Sequence, residues 1–216
     1  MIGLLLKDLL LIKKSFSLVY LMPIALSLFV GIGNPSAIPV FFGVLVAIVF
    51  SFQAVTTMEF DSNTGWERNV AAMPITATTE VLGKYVLSLL MLVCSVVVTL
   101  LLEVILVFSG IIQTSILPIS VILAIVSSTM YISVIIPAIY KFGIAKSRMV
   151  FIAFVAIITV VPMFASLAGI NTEALLAEAN VGIGTLVVFL FLIFIVACSI
   201  LISIRVKRNV RVSPTL

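Results

Sequence analysis

The densest group of residues in this chain that could do chemistry lies in one stretch, "TTMEFDSNTGWERNVAAMPITATTEVLGKY", residues 56–85. Glu59, Asp61, Glu67, Arg68, Glu80, Lys84 and the single tryptophan, Trp66, all fall within it, although only 9% of the chain is charged. Catalysis is a poor match for this set. Covalent catalysis needs a nucleophile beside a base, whereas the chain has no His, no H-E-x-x-H pair and no clear nucleophile with a base. An intramembrane hydrolase would lack its machinery. No G-x-x-x-x-G-K-[ST] phosphate loop is present, and "GIAKS" at 143–147 lacks the glycine spacing. Cys94 and Cys198 lie deep in apolar runs without a ligand partner, so they read as packing residues and no metal site is expected. The mixture suits docking better, because arginine and tryptophan are common interface anchors. The bland alternative is a solvated loop whose charges only keep it out of lipid. Three acids and an arginine interleaved with a large aromatic exceed that need.

The elements that must position this stretch are set by composition. The 216 residues are 63% hydrophobic with a mean hydropathy of +1.44, whereas soluble domains are about half apolar and roughly a quarter charged. The chain is therefore expected to be an all-α polytopic membrane protein. A hydrocarbon core about 30 Å thick takes roughly 17–25 apolar residues per helix, and six stretches qualify: about 16–32, 38–55, 85–108, 116–140, 149–168 and 183–204. Open strands would leave backbone groups unpaired in lipid, and a barrel would alternate in polarity. One transmembrane domain, 1–216, accounts for the whole chain, with residues 56–84 as a loop between the second and third spans.

Basic residues set the expected orientation. Lys7, Lys13 and Lys14, then Arg68 and Lys84, then Lys141, Lys146 and Arg148, then Arg205, Lys207, Arg208 and Arg211 make up all twelve Lys and Arg residues. The intervening loops, "GIGNPSAIP", "SGIIQTSILP" and "AGINTEALLAEANVG", contain none, and the last carries Glu173 and Glu178. Both termini are expected in the cytoplasm, which an even number of spans also requires. The net charge of +4 thus follows membrane orientation and does not point to nucleic acid.

The opening "MIGLLLKDLLLIKKS", residues 1–15, is apolar but carries Lys7, Asp8, Lys13 and Lys14 on a partly polar helical face. It is expected to lie along the cytoplasmic interface as an amphipathic helix, the alternative being an extension of the first span. Continued apolar spans and the lack of a small-x-small cleavage site mark it as an uncleaved start and not a signal peptide. Pro23, Pro118, Pro137 and Pro162 each remove a backbone donor and can kink their spans, as a packing adaptation or, alternatively, as a gating hinge.

Within the crowded loop, "TGWERNVAA" is free of breakers after Gly65 and predicts about two helical turns, which Pro74 stops. Thr76 is expected to cap the next helix with Glu80 in its first turn, where a carboxylate faces the positive dipole end. Trp66 and Tyr85 suit headgroup level.

The ensemble Glu59, Asp61, Gly65, Trp66, Glu67, then Met73, Pro74 and Ile75, then Gly83, Lys84 and Tyr85 resembles the first cytoplasmic loop of the ABC-2 type transporter permeases. The small branch with the permease subunits of phenol-soluble modulin exporters is especially similar, and the opening amphipathic segment also looks like that branch. The resemblance implies the membrane half of an ATP-driven exporter in a bacterial plasma membrane. In such a system the loop is a coupling helix seated in a separate ATPase, and Glu59, Asp61, Gly65, Trp66, Glu67, Arg68 and Pro74 form the coupling interface. The implied partners are two ATPase copies holding ATP and Mg, a second permease copy or paralogue, the lipid bilayer, and amphipathic peptides or other hydrophobic cargo. The chain would bind no cofactor directly and would not itself be an enzyme.

Glu103 is the main acid within a span, roughly 28 Å along the helix from Lys84 at about 1.5 Å per residue. One reading places it at the outer headgroups, partly hydrated. The other makes it a polar residue of the translocation path. Two further readings of the chain stand beside the exporter: an ion-gradient-driven secondary carrier, which would usually place ionisable groups near the midplane, and a non-transporting immunity or sensor subunit.

Overall fold

The computed structural model of the chain describes residues 2–15, 21–31, 38–66, 70, 75–110, 117–167 and 181–212. The regular elements among them are all helical: α1 (Ile2–Ser15), α2 (Met22–Gly31), α3 (Ile38–Asn63), α4 (Ala77–Phe108), α5 (Leu117–Leu167) and α6 (Val181–Val212). Four described stretches are long and apolar enough to cross a membrane: Phe41–Asn63, Ala77–Phe108, Ser120–Val150 and Leu186–Asn209. They correspond to the expected spans 38–55, 85–108, 116–140 and 183–204. Of the expected first span, 16–32, the described part is chiefly the ten-residue α2. The expected fifth span, 149–168, is helical backbone as far as Leu167 but is not among the four. Residues 32–37, 111–116 and 168–180, where outer loops are expected and where Glu173 and Glu178 fall, lie outside the described residues.

Proline marks where helices begin. Pro23, Pro39 and Pro118 are each the second residue of their helix, where the missing N–H has no intrahelical acceptor to lose and the fixed φ already suits a helix. Pro23 and Pro118, which could have kinked a span, thus stand at the start of described helices. Pro137 and Pro162 do lie inside α5, yet its non-helical residue is Gly143, at φ 78° and ψ 171°. The segment 141–148, expected as a loop, shrinks to that single break with helix on either side.

The crowded segment is also shorter than the expected 56–84. Nothing in "TTMEFDSN" stops a helix, so α3 runs on to Asn63. There the Thr64 N–H donates to the Phe60 carbonyl at 3.0 Å, and Gly65 turns the chain at φ 67°, a left-handed closure that favours glycine. α4 starts at Ala77, so the linking segment spans only residues 64–76. α6 likewise outruns its expected end at 204 and carries the basic residues Arg205, Lys207, Arg208 and Arg211 as helix to Val212.

The chain divides into two units, residues 1–132 with 208–216, and residues 133–207. In the first, the packing faces of three helices are made of small residues spaced about four apart. Gly43, Ala47, Ser51 and Ala54 line α3, Ser88, Ser95 and Thr99 line α4, and Ser120, Ala124 and Ser128 line α5, all buried. Such residues let backbones approach closely where lipid supplies no hydrophobic drive between helices. A Cβ added at Gly43 would sit 3.1 Å from the Ser120 carbonyl oxygen and 3.3 Å from Thr99 Cγ2. The hydroxyls on these faces donate mostly to their own helix: Ser51 to Ala47, Ser88 to Lys84, Thr99 to Ser95. Ser51 and Ser128 also bond across helices at 2.6 Å. α1 docks on this unit through Ile12, which packs with Ala54, Leu87 and Met91. In the second unit, Ser199 donates to the Ser133 carbonyl at 2.8 Å, and the Lys207 ammonium lies 5.4 Å above the Tyr140 ring.

Candidate functional site

Two acids lie near the end of α3, where Asp61 in the last turn opposes the helix dipole, and one lysine lies early in α4. Glu59 and Asp61 lie in the last two turns of α3, at its negative end, while Lys84 lies in the second turn of α4, near its positive end. A carboxylate in the last turn is unfavourable by a few tenths to about 1 kcal/mol, and pairing Asp61 with Lys84 offsets that cost. Lys84 Nζ donates to Asp61 Oδ2 at 2.7 Å. It also donates to Asp8 Oδ2 of α1 at 2.9 Å and to Thr57 Oγ1 at 3.2 Å, so all three ammonium protons are used.

Lys7 of α1 closes the arrangement. Its ammonium pairs with Asp61 Oδ1 and lies 3.3 Å from Asp8 Oδ1. Going round, Lys7, Asp61, Lys84 and Asp8 form a four-membered ring of alternating charge with zero net charge. The Lys84 and Asp8 side chains are 9% and 4% exposed, Asp61 is 13% and Lys7 24%, so the ring opens outward only at Lys7. Asp8 Oδ1 is close enough to Lys7 for an ion pair but makes no aligned hydrogen bond among the described residues. The ring joins α1, α3 and α4 at a single point.

Trp66 stands at the open side. It follows the Gly65 turn, is half-buried, and carries the Lys7 ammonium 4.5 Å from its ring centroid, well inside the range of a cation–π contact. Trp66 and Val70 have helical backbone. Glu67, Arg68 and Pro74 of the expected interface, and Met73 of the motif, lie outside the described residues. The start of α4 is as expected: Thr76 caps it, its hydroxyl accepting from the Thr79 N–H at 3.2 Å, and Glu80 is in the first turn.

Other expected residues are placed as follows. Glu59 is half-buried, and Lys13 and Lys14 are exposed in the last turn of α1, where cations suit the dipole. Asp61 and Asp8 do not face outward with them, since both turn in toward Lys84. Glu103 is fully enclosed by protein at 0% exposure, which corrects the reading of partial hydration at the headgroups. Ser120 is its polar neighbour, yet neither carboxylate oxygen has a well-formed hydrogen bond among the described residues. Lys84 and Glu103 lie on one buried face of α4 together with Ser88, Met91, Ser95 and Thr99. They are separated by about 28 Å of helix, close to one hydrocarbon thickness.

The pairing of Asp8 with Lys84 and the part played by Thr57 were missed in the sequence. A signal did exist: Asp8 is the only acid in an otherwise apolar and basic helix, and it needs a cation to be buried.

The family model described as "ABC-2 family transporter protein" matches residues 3–207. No curated protein and no solved structure matches the chain.

Proposed function

Because the chain belongs to the ABC-2 family of transporter proteins, and is thus a membrane component of a transporter that works with an ABC ATPase, we propose that it is the permease subunit of an exporter whose ATPase grips the segment at Trp66. The observation that carries the reading is the position of Trp66. It sits on a glycine turn in the short link between two long apolar helices, beside a charged ring that joins that link to α1. A push on the link therefore has a direct route into three helices.

In this reading the link is cytoplasmic, as are both termini, and α1 lies along the inner membrane surface. Glu59, Gly65, Trp66, Glu67, Arg68 and Pro74 meet the ATPase, and Asp61 contributes from within by holding the ring. Two permease copies, identical or paralogous, stand above two ATPase copies that carry ATP and Mg. The cargo class is amphipathic or antimicrobial-type peptides or similar hydrophobic molecules, exported from a bacterial cell, and Glu103 lies on their path. The similarity of the Gly65–Trp66–Glu67 motif to the peptide-exporting branch supports that class.

The test is to purify the tagged chain in mild detergent and identify what co-elutes. Trp66→Ala and Glu67→Arg are expected to insert at normal abundance but to lose the ATPase. Retention of the ATPase by both variants would remove this segment from the coupling interface. Proton-dependent flux through the lone chain would instead favour a secondary carrier.

A further inference from the structure

The charged ring has a feature that stability alone does not explain, namely that its most exposed member faces an indole. We infer that Lys7 of α1 is a positioning residue for Trp66, holding the ring plane in one orientation at the start of the link. The proposal rests on the docking role of Trp66 only for its consequence in transport, since the positioning itself is a property of this chain.

Three observations carry it. First, the backbone entering Trp66 is a left-handed glycine turn, and a Cβ placed on Gly65 would meet nothing within 4 Å among the described residues. The turn itself is not braced by packing from that side. Second, the Lys7 ammonium lies 4.5 Å from the indole centroid, so the aromatic face has a fixed cation against it. Third, Lys7 is not an ordinary flexible surface lysine. Asp61 of α3 pairs with it, and Asp8 lies 3.3 Å away with its other oxygen held by Lys84 of α4. The ammonium is therefore fixed relative to three helices, and it passes that fixed position to the indole. Among the described residues the charges facing Lys7 are those two carboxylates, while Lys13 and Lys14 lie exposed on the last turn of the same helix.

The arrangement also explains why the N-terminal helix carries an acid. Asp8 does not touch Trp66, but without it Lys84 would lose one of its two carboxylates and Lys7 one of its neighbours. The apolar seat of α1, Ile12 against Ala54, Leu87 and Met91, is separate from the charges. Removing the Lys7 ammonium should thus leave α1 docked.

Trp66 is the only tryptophan, so the intrinsic fluorescence of the full chain in detergent or nanodiscs reports this site alone. The probe is acrylamide quenching of wild type, Lys7→Gln, Lys7→Arg and the control Lys13→Gln. A cation–π contact at a partly exposed site corresponds to about a two- to fivefold change in the ratio of stacked to free indole. Quenching is therefore expected to rise clearly in Lys7→Gln and to stay at the wild-type level in Lys13→Gln. Lys7→Arg should restore the wild-type value, since a guanidinium also stacks on an aromatic face. Equal quenching of wild type and Lys7→Gln, or a Lys7→Arg variant that behaves as Lys7→Gln, would overturn the proposal. Circular dichroism of Lys7→Gln guards against a folding artefact: helix content equal to wild type ties any change in quenching to the indole, and a loss of helix overturns the separation of seat and charge argued above. ATPase retention is scored on the same preparations. Normal retention by Lys7→Gln together with raised quenching would sink the docking role of Trp66 and leave the positioning role standing.

Discussion

Lys84 reaches Asp8 across 76 positions of sequence, Nζ to Oδ2 at 2.9 Å, with both side chains less than a tenth exposed. The consequences of breaking the pair differ by side. Asp8→Asn leaves Lys84 with Asp61 and Thr57, so the expected loss is about 1–3 kcal/mol, that of one compromised buried hydrogen bond. Lys84→Met leaves Asp8 and Asp61 with Lys7 as their one remaining partner in the ring, and removing one partner of a buried ion pair typically costs about 3–5 kcal/mol. Thermal unfolding of the purified variants should rank wild type above Asp8→Asn and Asp8→Asn above Lys84→Met. The reverse ranking would show that the four charges do not act as a ring.

How far these features were legible in the sequence depended on whether the signal was local. Thr76, Glu80 and four of the six apolar runs were read correctly because a cap, a first-turn acid and a hydrophobic block are each decided within one helix turn or one span. The inward turn of Asp61 was not legible. Its orientation depends on α3 continuing to Asn63, and on Lys7 and Lys84 arriving from other helices. The role of Pro23 and Pro118 was left open for a related reason. A proline reads alike inside an apolar run and at its first turn, and only the helix boundary separates a kink from a start. The enclosure of Glu103 was not legible, because counting rise per residue gives depth but not the face of the helix.

Gly143 holds φ 78° and ψ 171°, a region essentially restricted to glycine, where other residues are strained by about 1–3 kcal/mol. No neighbour lies within 4 Å of a Cβ added there, so any cost of substitution is conformational and not steric. Gly143→Ala is expected to lower the unfolding temperature even though helix propensity alone favours alanine. A gain in stability would mean that α5 runs through this point as continuous helix.

Gly43 offers the opposite case, because its backbone is helical and its surroundings are tight. Alanine gains up to about 1 kcal/mol in helix propensity but brings Cβ to 3.1 Å from the Ser120 carbonyl oxygen, so the two effects nearly cancel. Leucine cannot be accommodated without parting α3 from α5, and overpacking of this kind costs about 1–3 kcal/mol or more. Gly43→Ala should unfold near the wild-type temperature and Gly43→Leu well below it. Equal behaviour of the two would remove the close contact at this position.

Glu103 separates stability from transport. Its carboxylate is enclosed at 0% exposure and has no well-formed hydrogen bond among the described residues, and a buried polar group in that state costs roughly 1–3 kcal/mol by mutational measures. Glutamine fills nearly the same volume without a charge, so Glu103→Gln is expected to unfold at or above the wild-type temperature and to keep its ATPase. Acids inside membrane helices commonly mark a transport path. If Glu103 lies on that path, the stable variant should export less cargo than wild type in reconstituted vesicles. Unchanged export would assign the carboxylate to packing against Ser120 alone, and a fall in both stability and ATPase retention would mean that it holds the helices together.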